Sequence, residues 1–290
     1  MPVSREDGLD VSKRELEILE GSFEPGIKRR LISTNSDSGG GHMVIEIEKK
    51  WSNPKGYCTA SQDIYVLEGD LTLGNEKMIS GCYSFIPKGT AYGPLRSENG
   101  CRALVFFGSP YDFIKSENHL ANSDLDNLKM NLKTWDIPWE NAMKDMVEKT
   151  TWKNPETGEP DRPSGTLAKV LRWDKNPEEQ IALVHQPPGT IDPGTEVHPH
   201  NECLYLISGD CYIGYTYDNK NRGMEDRKVG IKIKKDYYLS RPPGIFHGPL
   251  VTHGGVYWMT YMSDGYHGIF HDVPEWREMS ESYFAEAIYR

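Results

Sequence analysis

The chain has 290 residues, with 33 basic against 43 acidic, a net charge of −10 and 37% hydrophobic residues. That length fits two domains of ordinary size, and the balance describes a soluble globular protein whose acidic field disfavours nucleic acid or an anionic membrane as partner. No apolar run approaches the roughly 20 residues that span a bilayer, the start Met1-Pro-Val-Ser-Arg-Glu-Asp7 lacks a signal-peptide core, and five cysteines without a Cys-x-x-Cys pair give no disulfide framework; the expected location is the cytoplasm.

Residues 1–25 are polar and read as an extended or helical arm, either packed on a partner subunit or loose. Ser33 to Gly41 is a Ser/Gly-rich loop. Met43-Val-Ile-Glu-Ile-Glu48 alternates in the period-2 manner of a strand, and residues 58–108 carry short strands at hairpin spacing, including Ala103 to Phe107. Residues 112–160 are mixed and polar and form the connection between two domains, 1–134 and 135–290. Within it Asn127 to Lys133 is expected as a turn or short helix, Asn141 to Lys149 as helix, and Trp135 and Trp139 as its anchors to the protein. Strand signals resume at Leu167–Trp173 and Ile181–His185. Tyr212–Tyr217 and Val229–Ile233 bracket a hairpin, Val256–Met262 is a strand, and Pro274 to Arg290 has helical spacing. In Val256–Met262 parity leaves two inward sets open: Trp258 with Thr260, or Tyr257, Met259 and Tyr261.

Glu196-Val-His198-Pro-His200-Asn-Glu202 carries the densest chemistry. Alternate strand residues face alternate sides, so 196, 198 and 202 share a parity, and Pro199 bends the chain between two strand pieces. Cys203 to Ile207 is then an apolar strand ending in the turn pair Gly209-Asp210. Asp236 to Arg241 leads into Pro242-Pro-Gly244-Ile-Phe-His247, a tight turn that delivers His247 at a fixed angle. The metal ligands expected from this pattern are Glu196, His198, Glu202 and His247, with His198, His200 and Glu202 as an alternative triple on one strand face. Imidazoles and carboxylates suit one divalent ion, whether Fe(II), Mn(II), Zn or Ni. Two carboxylates would neutralise it. Glu196 is a candidate base, and His200 is a candidate acid/base group because an unperturbed imidazole titrates near neutrality. Arg241 reads either as a binder of an anionic substrate group or as a surface ion pair.

The same pattern occurs earlier in the chain. Gln62 to Asp70 matches Glu202 to Asp210, and Gly81 to Leu95 matches Asp236 to Leu250, both ending Gly-Pro-Leu. The alignment places Gly56, Cys58, Gln62 and Tyr92 at the four ligand positions. None is His or carboxylate, so the first half is expected to be metal-free.

These two motifs resemble those of the cupin superfamily, with Glu196 standing where the family usually has its first His and Asp236 where it usually has Gly. The resemblance covers most of 40–110 and 165–262 and is closest to two-domain members of the ChrR-like and acetylacetone-dioxygenase-like group. It implies an all-β fold of two tandem double-stranded β-helix barrels with a short helical connection. It further implies a homodimer or higher homo-oligomer, in which the N-terminal arm is commonly exchanged. As function it implies a mononuclear metal enzyme on a small diketone, hydroxyketone or carboxylate, foremost an O2-dependent dioxygenase; a non-redox lyase, isomerase or hydrolase and a metal-binding sensor are the alternatives.

Overall fold

The structure is a computed structural model that describes residues 4–19, 21–141, 166–175, 178–192, 195–218, 231–263 and 269–271. Among them all regular structure is β-strand, apart from single 3-10 turns at Val11–Lys13, Leu125–Asn127 and Thr134–Asp136. No described helix is long and apolar enough to cross a membrane. The strands form two separate compact units, Val11–Ile137 and Pro2–Asp10 with Pro138–Arg290.

Each unit is organised by one long strand that serves two sheets. In the first, Gln62–Leu73 pairs through its first half with Cys82–Ile86 and Cys101–Phe107, and through its second half with Glu76–Ile79 and Leu95–Ser97. The change of sheet falls at Gly69, whose φ of +79° is the left-handed region. A Cβ there would meet the Gly100 carbonyl oxygen at 1.9 Å, so only glycine fits. Period-2 alternation, shifted by one residue where the strand changes sheet, turns Ile64, Val66, Leu71 and Leu73 into one core with Met43, Ile45, Ala103 and Val105. At roughly 1.5–3 kcal/mol for each large apolar side chain removed from water, this layer supplies the main drive to fold the unit.

The second unit repeats the plan. Glu202–Asp218 pairs first with Tyr237–Arg241 and Val256–Ser263, then with Ile231–Lys234 and Ile245–Val251. Its change of sheet is at Gly209, φ +89°. The other turns correspond as well: Gly89 and Gly244 (φ +73° and +80°), Gly93 and Gly248 (+107° and +118°), and Gly81 and Asp236 (+88° and +71°) all hold positive φ. Asp236 tolerates the left-handed region better than most residues, and its carboxylate accepts the Tyr205 hydroxyl at 2.6 Å.

Register decides the face left open in the sequence. Met262, Thr260 and Trp258 stand opposite Glu202, Leu204 and Leu206. Directly opposed residues share a face. The inward set therefore contains Trp258 and Thr260, while Tyr257 is exposed.

One expected element differs, and one is made definite. The stretch read as a turn or short helix over 127–133 is a turn at Leu125–Asn127 followed by a strand, Lys129–Lys133, on the free edge of Cys82–Ile86. An unpaired sheet edge offers backbone partners that outweigh weak local preference. The polar arm contributes a strand, Glu6–Asp10, to the edge of Tyr237–Arg241 in its own chain. Trp139 packs against His185 and Tyr257, as an anchor should, whereas Trp135 is 51% exposed. The helices expected at 141–149 and 274–290 lie outside the described residues, apart from Asn141 itself, which closes a two-residue strand.

Candidate metal centre

His198 follows the short strand Thr195–Val197, Glu202 opens the long strand, and His247 lies on Ile245–Val251. The two motifs are tied together at the backbone. The Gly244 N–H donates to the His198 carbonyl at 2.9 Å, and the Ile245 N–H closes the turn onto Pro242 at 3.3 Å. As a result three donor side chains from two separate segments of the chain converge. One ligand atom from each of His198, Glu202 and His247 lies within 4.8 Å of the others.

Glu202 Oε2 is the hub. It stands 3.5 Å from His198 Nε2 and 3.6 Å from His247 Nε2, and accepts a hydrogen bond from Arg241 Nη1 at 2.9 Å. His247 Nδ1 lies 3.1 Å from the Ile245 carbonyl oxygen. A carbonyl only accepts, so Nδ1 carries the proton and Nε2 presents its lone pair inward, the form in which imidazole binds a metal. All three side chains are buried. Burial alone would raise the Glu202 carboxyl; the neighbouring His198 and the Arg241 guanidinium outweigh it and hold the group well below the usual carboxylate range.

The donor set fits a divalent ion. With bonds of about 2.1 Å, donors around one ion sit about 3.0–3.4 Å apart for octahedral and tetrahedral angles. The 3.5 and 3.6 Å separations from Glu202 lie just outside that range, and the widest separation in the group, within 4.8 Å, must close by more than an ångström as the imidazoles turn onto an ion.

Glu196 stands directly across from His247 in the backbone register; its side chain lies outside what the structure describes. His200 is fully buried and stacks on His198, ring centroids 4.5 Å apart and planes 14° off parallel. It is not one of the three converging donors, so the alternative triple of His198, His200 and Glu202 is not the one assembled. Arg241 is buried on Glu202 and is not a surface ion pair. Its positive charge also alters the expected charge balance, since a divalent ion with two carboxylates and this guanidinium would not be neutral. Parity alone gives Arg241 its face but not its partner. The signal that could have found it is the internal alignment, in which Arg241 matches Ile86.

The first unit brings its four aligned positions together in the same way. Gly56 bridges Tyr92 at the backbone, as Glu196 pairs with His247. The Gly89 N–H donates to the Cys58 carbonyl, as Gly244 does to His198. What meets inside is a neutral, hydrogen-bonded cluster: Gln62 Nε2 to the Tyr92 hydroxyl at 2.6 Å, the Tyr111 hydroxyl to Gln62 Oε1 at 2.8 Å, and Cys58 Sγ 3.2 Å from Tyr92. Burial pushes the Cys58 thiol up to about 11 and both tyrosines well above their usual range. A fourth donor has no room, because a Cβ on Gly56 would meet the Ile114 carbonyl oxygen at 2.3 Å.

Residues 8–227 match the family model described as "Domain of unknown function (DUF4437)". No curated protein matches the chain. Among solved structures, a candidate dioxygenase from Nostoc punctiforme is similar at TM-score 0.70 and 20% identity, covering 90% of this chain and 82% of that one. Oxalate decarboxylase from Bacillus subtilis gives 0.55 and 13%, covering 91% and 79%. The Lactobacillus farciminis oxalate decarboxylase gives 0.56 and 12%, covering 92% and 88%. At these identities the likeness establishes the fold, all-β and cupin-like.

Proposed function

The chain belongs to the DUF4437 family, and we propose that it is a mononuclear metal-dependent enzyme acting on a small anionic oxygenated molecule, such as the enolate of a diketone or hydroxyketone or a carboxylate, as an O2-dependent dioxygenase. The observation that carries this reading is the burial of His198, Glu202 and His247 around one point, with Arg241 on the carboxylate. The structural likeness to a candidate dioxygenase supports the reaction class.

When bound, Fe(II) would supply Lewis-acid polarisation of the substrate oxygens and an electron source for dioxygen. His198 and His247 would hold that ion through Nε2, and the Ile245 carbonyl keeps the His247 ring in the required tautomer. Glu202 contributes one negative charge and Arg241 cancels it, so the centre stays electropositive and favours an anionic ligand. Inward of Glu202 the strand continues with Leu204 and Leu206 facing Trp258, a dry floor that keeps bulk water from the reacting atoms. Glu196, opposite His247, is the fourth ligand or the base that takes the substrate proton, and His200 relays that proton from beside His198.

A second reading, a redox-neutral lyase, is favoured by likeness to two oxalate decarboxylases over 91% and 92% of the chain. Mn(II), for which centres are described in the Bacillus subtilis enzyme, is then the ion to load. The test is protein loaded with Fe(II) or Mn(II) against a panel of 1,3-diketones, hydroxyketones and small carboxylates, with an oxygen electrode. Oxygen uptake in step with substrate loss supports the dioxygenase. Turnover under strict anaerobiosis refutes it in favour of the lyase, and no turnover in either atmosphere contradicts both.

A further inference from the structure

The internal repeat provides a control within the chain for the surroundings of Glu202. Glu202 stands opposite Arg241 in its strand pairing, and its counterpart Gln62 stands opposite Ile86. The two pairs occupy the same place in the two barrels. One is charged on both sides and the other on neither. An arginine placed there for general packing would suit either half; it accompanies the carboxylate.

The contact is also specific. Arg241 Nη1 donates to Oε2, the same oxygen that faces both imidazoles. A carboxylate oxygen has two lone-pair directions. With one held by the guanidinium, the other is left for an ion on the side of the two Nε2 atoms, 3.5 and 3.6 Å away. The strand that carries Arg241 is itself clamped on both edges, by Glu202–Tyr205 on one side and by Glu6–Asp10 on the other. A planar guanidinium on a fixed strand fixes what it binds.

We propose that Arg241 is a positioning residue that presets Glu202 Oε2 for metal capture. This rests on the metal-centre reading above and adds to it a requirement outside the ligands themselves. The alternative, that Arg241 acts only as a nearby positive charge, makes the opposite demand: removing a cation beside a cation site would tighten binding. Loss of an outer partner of a metal ligand typically weakens affinity about ten- to hundredfold.

The experiment is Mn(II) titration of metal-stripped full-length protein by calorimetry, with the Mn(II) EPR spectrum and the melting temperature as further readouts. Wild type, Arg241→Ile, Arg241→Lys and the double variant Glu202→Gln/Arg241→Ile are compared. Expected is about ten- to hundredfold weaker binding in Arg241→Ile with a broadened EPR spectrum, and weakened binding in Arg241→Lys, which keeps the charge but not the fork. Without metal, Arg241→Ile should melt below wild type, and the double variant, which reproduces the Gln/Ile pair of the first barrel, should recover most of that loss. Equal or tighter Mn(II) binding in Arg241→Ile overturns the proposal, as does wild-type affinity in Arg241→Lys should the isoleucine variant not fold, or a double variant no more stable than the single. Failure of wild type to bind Mn(II) would remove the metal-centre reading itself, a result separate from any of these.

Discussion

If the two barrels place the same positions at the same point, the first should accept a metal once it is given the donors. The perturbation is Cys58→His, Gln62→Glu and Tyr92→His together. The present side chains already meet, with Gln62 Nε2 2.6 Å and Cys58 Sγ 3.2 Å from the Tyr92 hydroxyl, so three donors installed there fall within the spacing of His198, Glu202 and His247. The cost before metal is added is a buried carboxylate facing Ile86 in place of arginine. An uncompensated buried charge costs about 3–5 kcal/mol, and the Tyr111 hydroxyl, already bonded to Gln62, would return about 1 kcal/mol, the difference between donating to a charged and to a neutral acceptor. The net loss of about 2–4 kcal/mol lowers the melting temperature of the first unit by roughly 8–20 °C. Metal at a hundred times its dissociation constant restores about 2.7 kcal/mol. Adding Ile86→Arg should recover the apo loss and tighten binding at least about tenfold. The assay is metal content per chain by elemental analysis, with calorimetric melting. The expected result is a rise by one equivalent over wild type. A folded variant that gains none would refute the equivalence of the two sites.

Two further outcomes follow from single residues. His42 is buried edge-on against Phe106, and burial drives its imidazole down to about 3. Its folded value lies below the unfolded one, so the unfolded chain binds the extra proton and stability falls as pH drops from about 6.5 towards 3, by about 1.4 kcal/mol per pH unit. Urea unfolding of the first unit should show about 2 kcal/mol less stability at pH 5 than at neutrality, and His42→Leu should remove that part of the slope; an unchanged slope in the variant would contradict the assignment. At Gly209 a Cβ would meet the Gly255 carbonyl oxygen at 2.1 Å with φ at +89°. Gly209→Ala should therefore cost several kcal/mol in the second unit, read as a lowered melting temperature, and a variant melting with wild type would show that the change of sheet is not fixed there.

The duplicated barrel was legible because its turns impose chemistry that survives in the letters. Gly69 with Gly209, Gly89 with Gly244 and Gly93 with Gly248 mark backbone that favours glycine, and Gly81 with Asp236 shows the permitted exchange. The convergence of His198, Glu202 and His247 was legible for the same reason, since parity and two tight turns determine where they point. Arg241 as the partner of Glu202 was not, because parity names a face and only pairing register names a neighbour. The Lys129–Lys133 strand and the docking of Glu6–Asp10 were hidden too, since each depends on a sheet edge made elsewhere in the sequence rather than on its own residues.

The central claim is that the second barrel holds one divalent ion through two imidazoles and an acid. Its most direct test is elemental analysis of natively purified protein beside Glu202→Ala and His247→Ala, each verified as folded. The account requires one equivalent of a first-row divalent metal per chain in wild type and its loss in both variants. Wild-type protein that retains no ion after incubation with Fe(II), Mn(II) and Zn(II), or folded variants that retain as much as wild type, would contradict it.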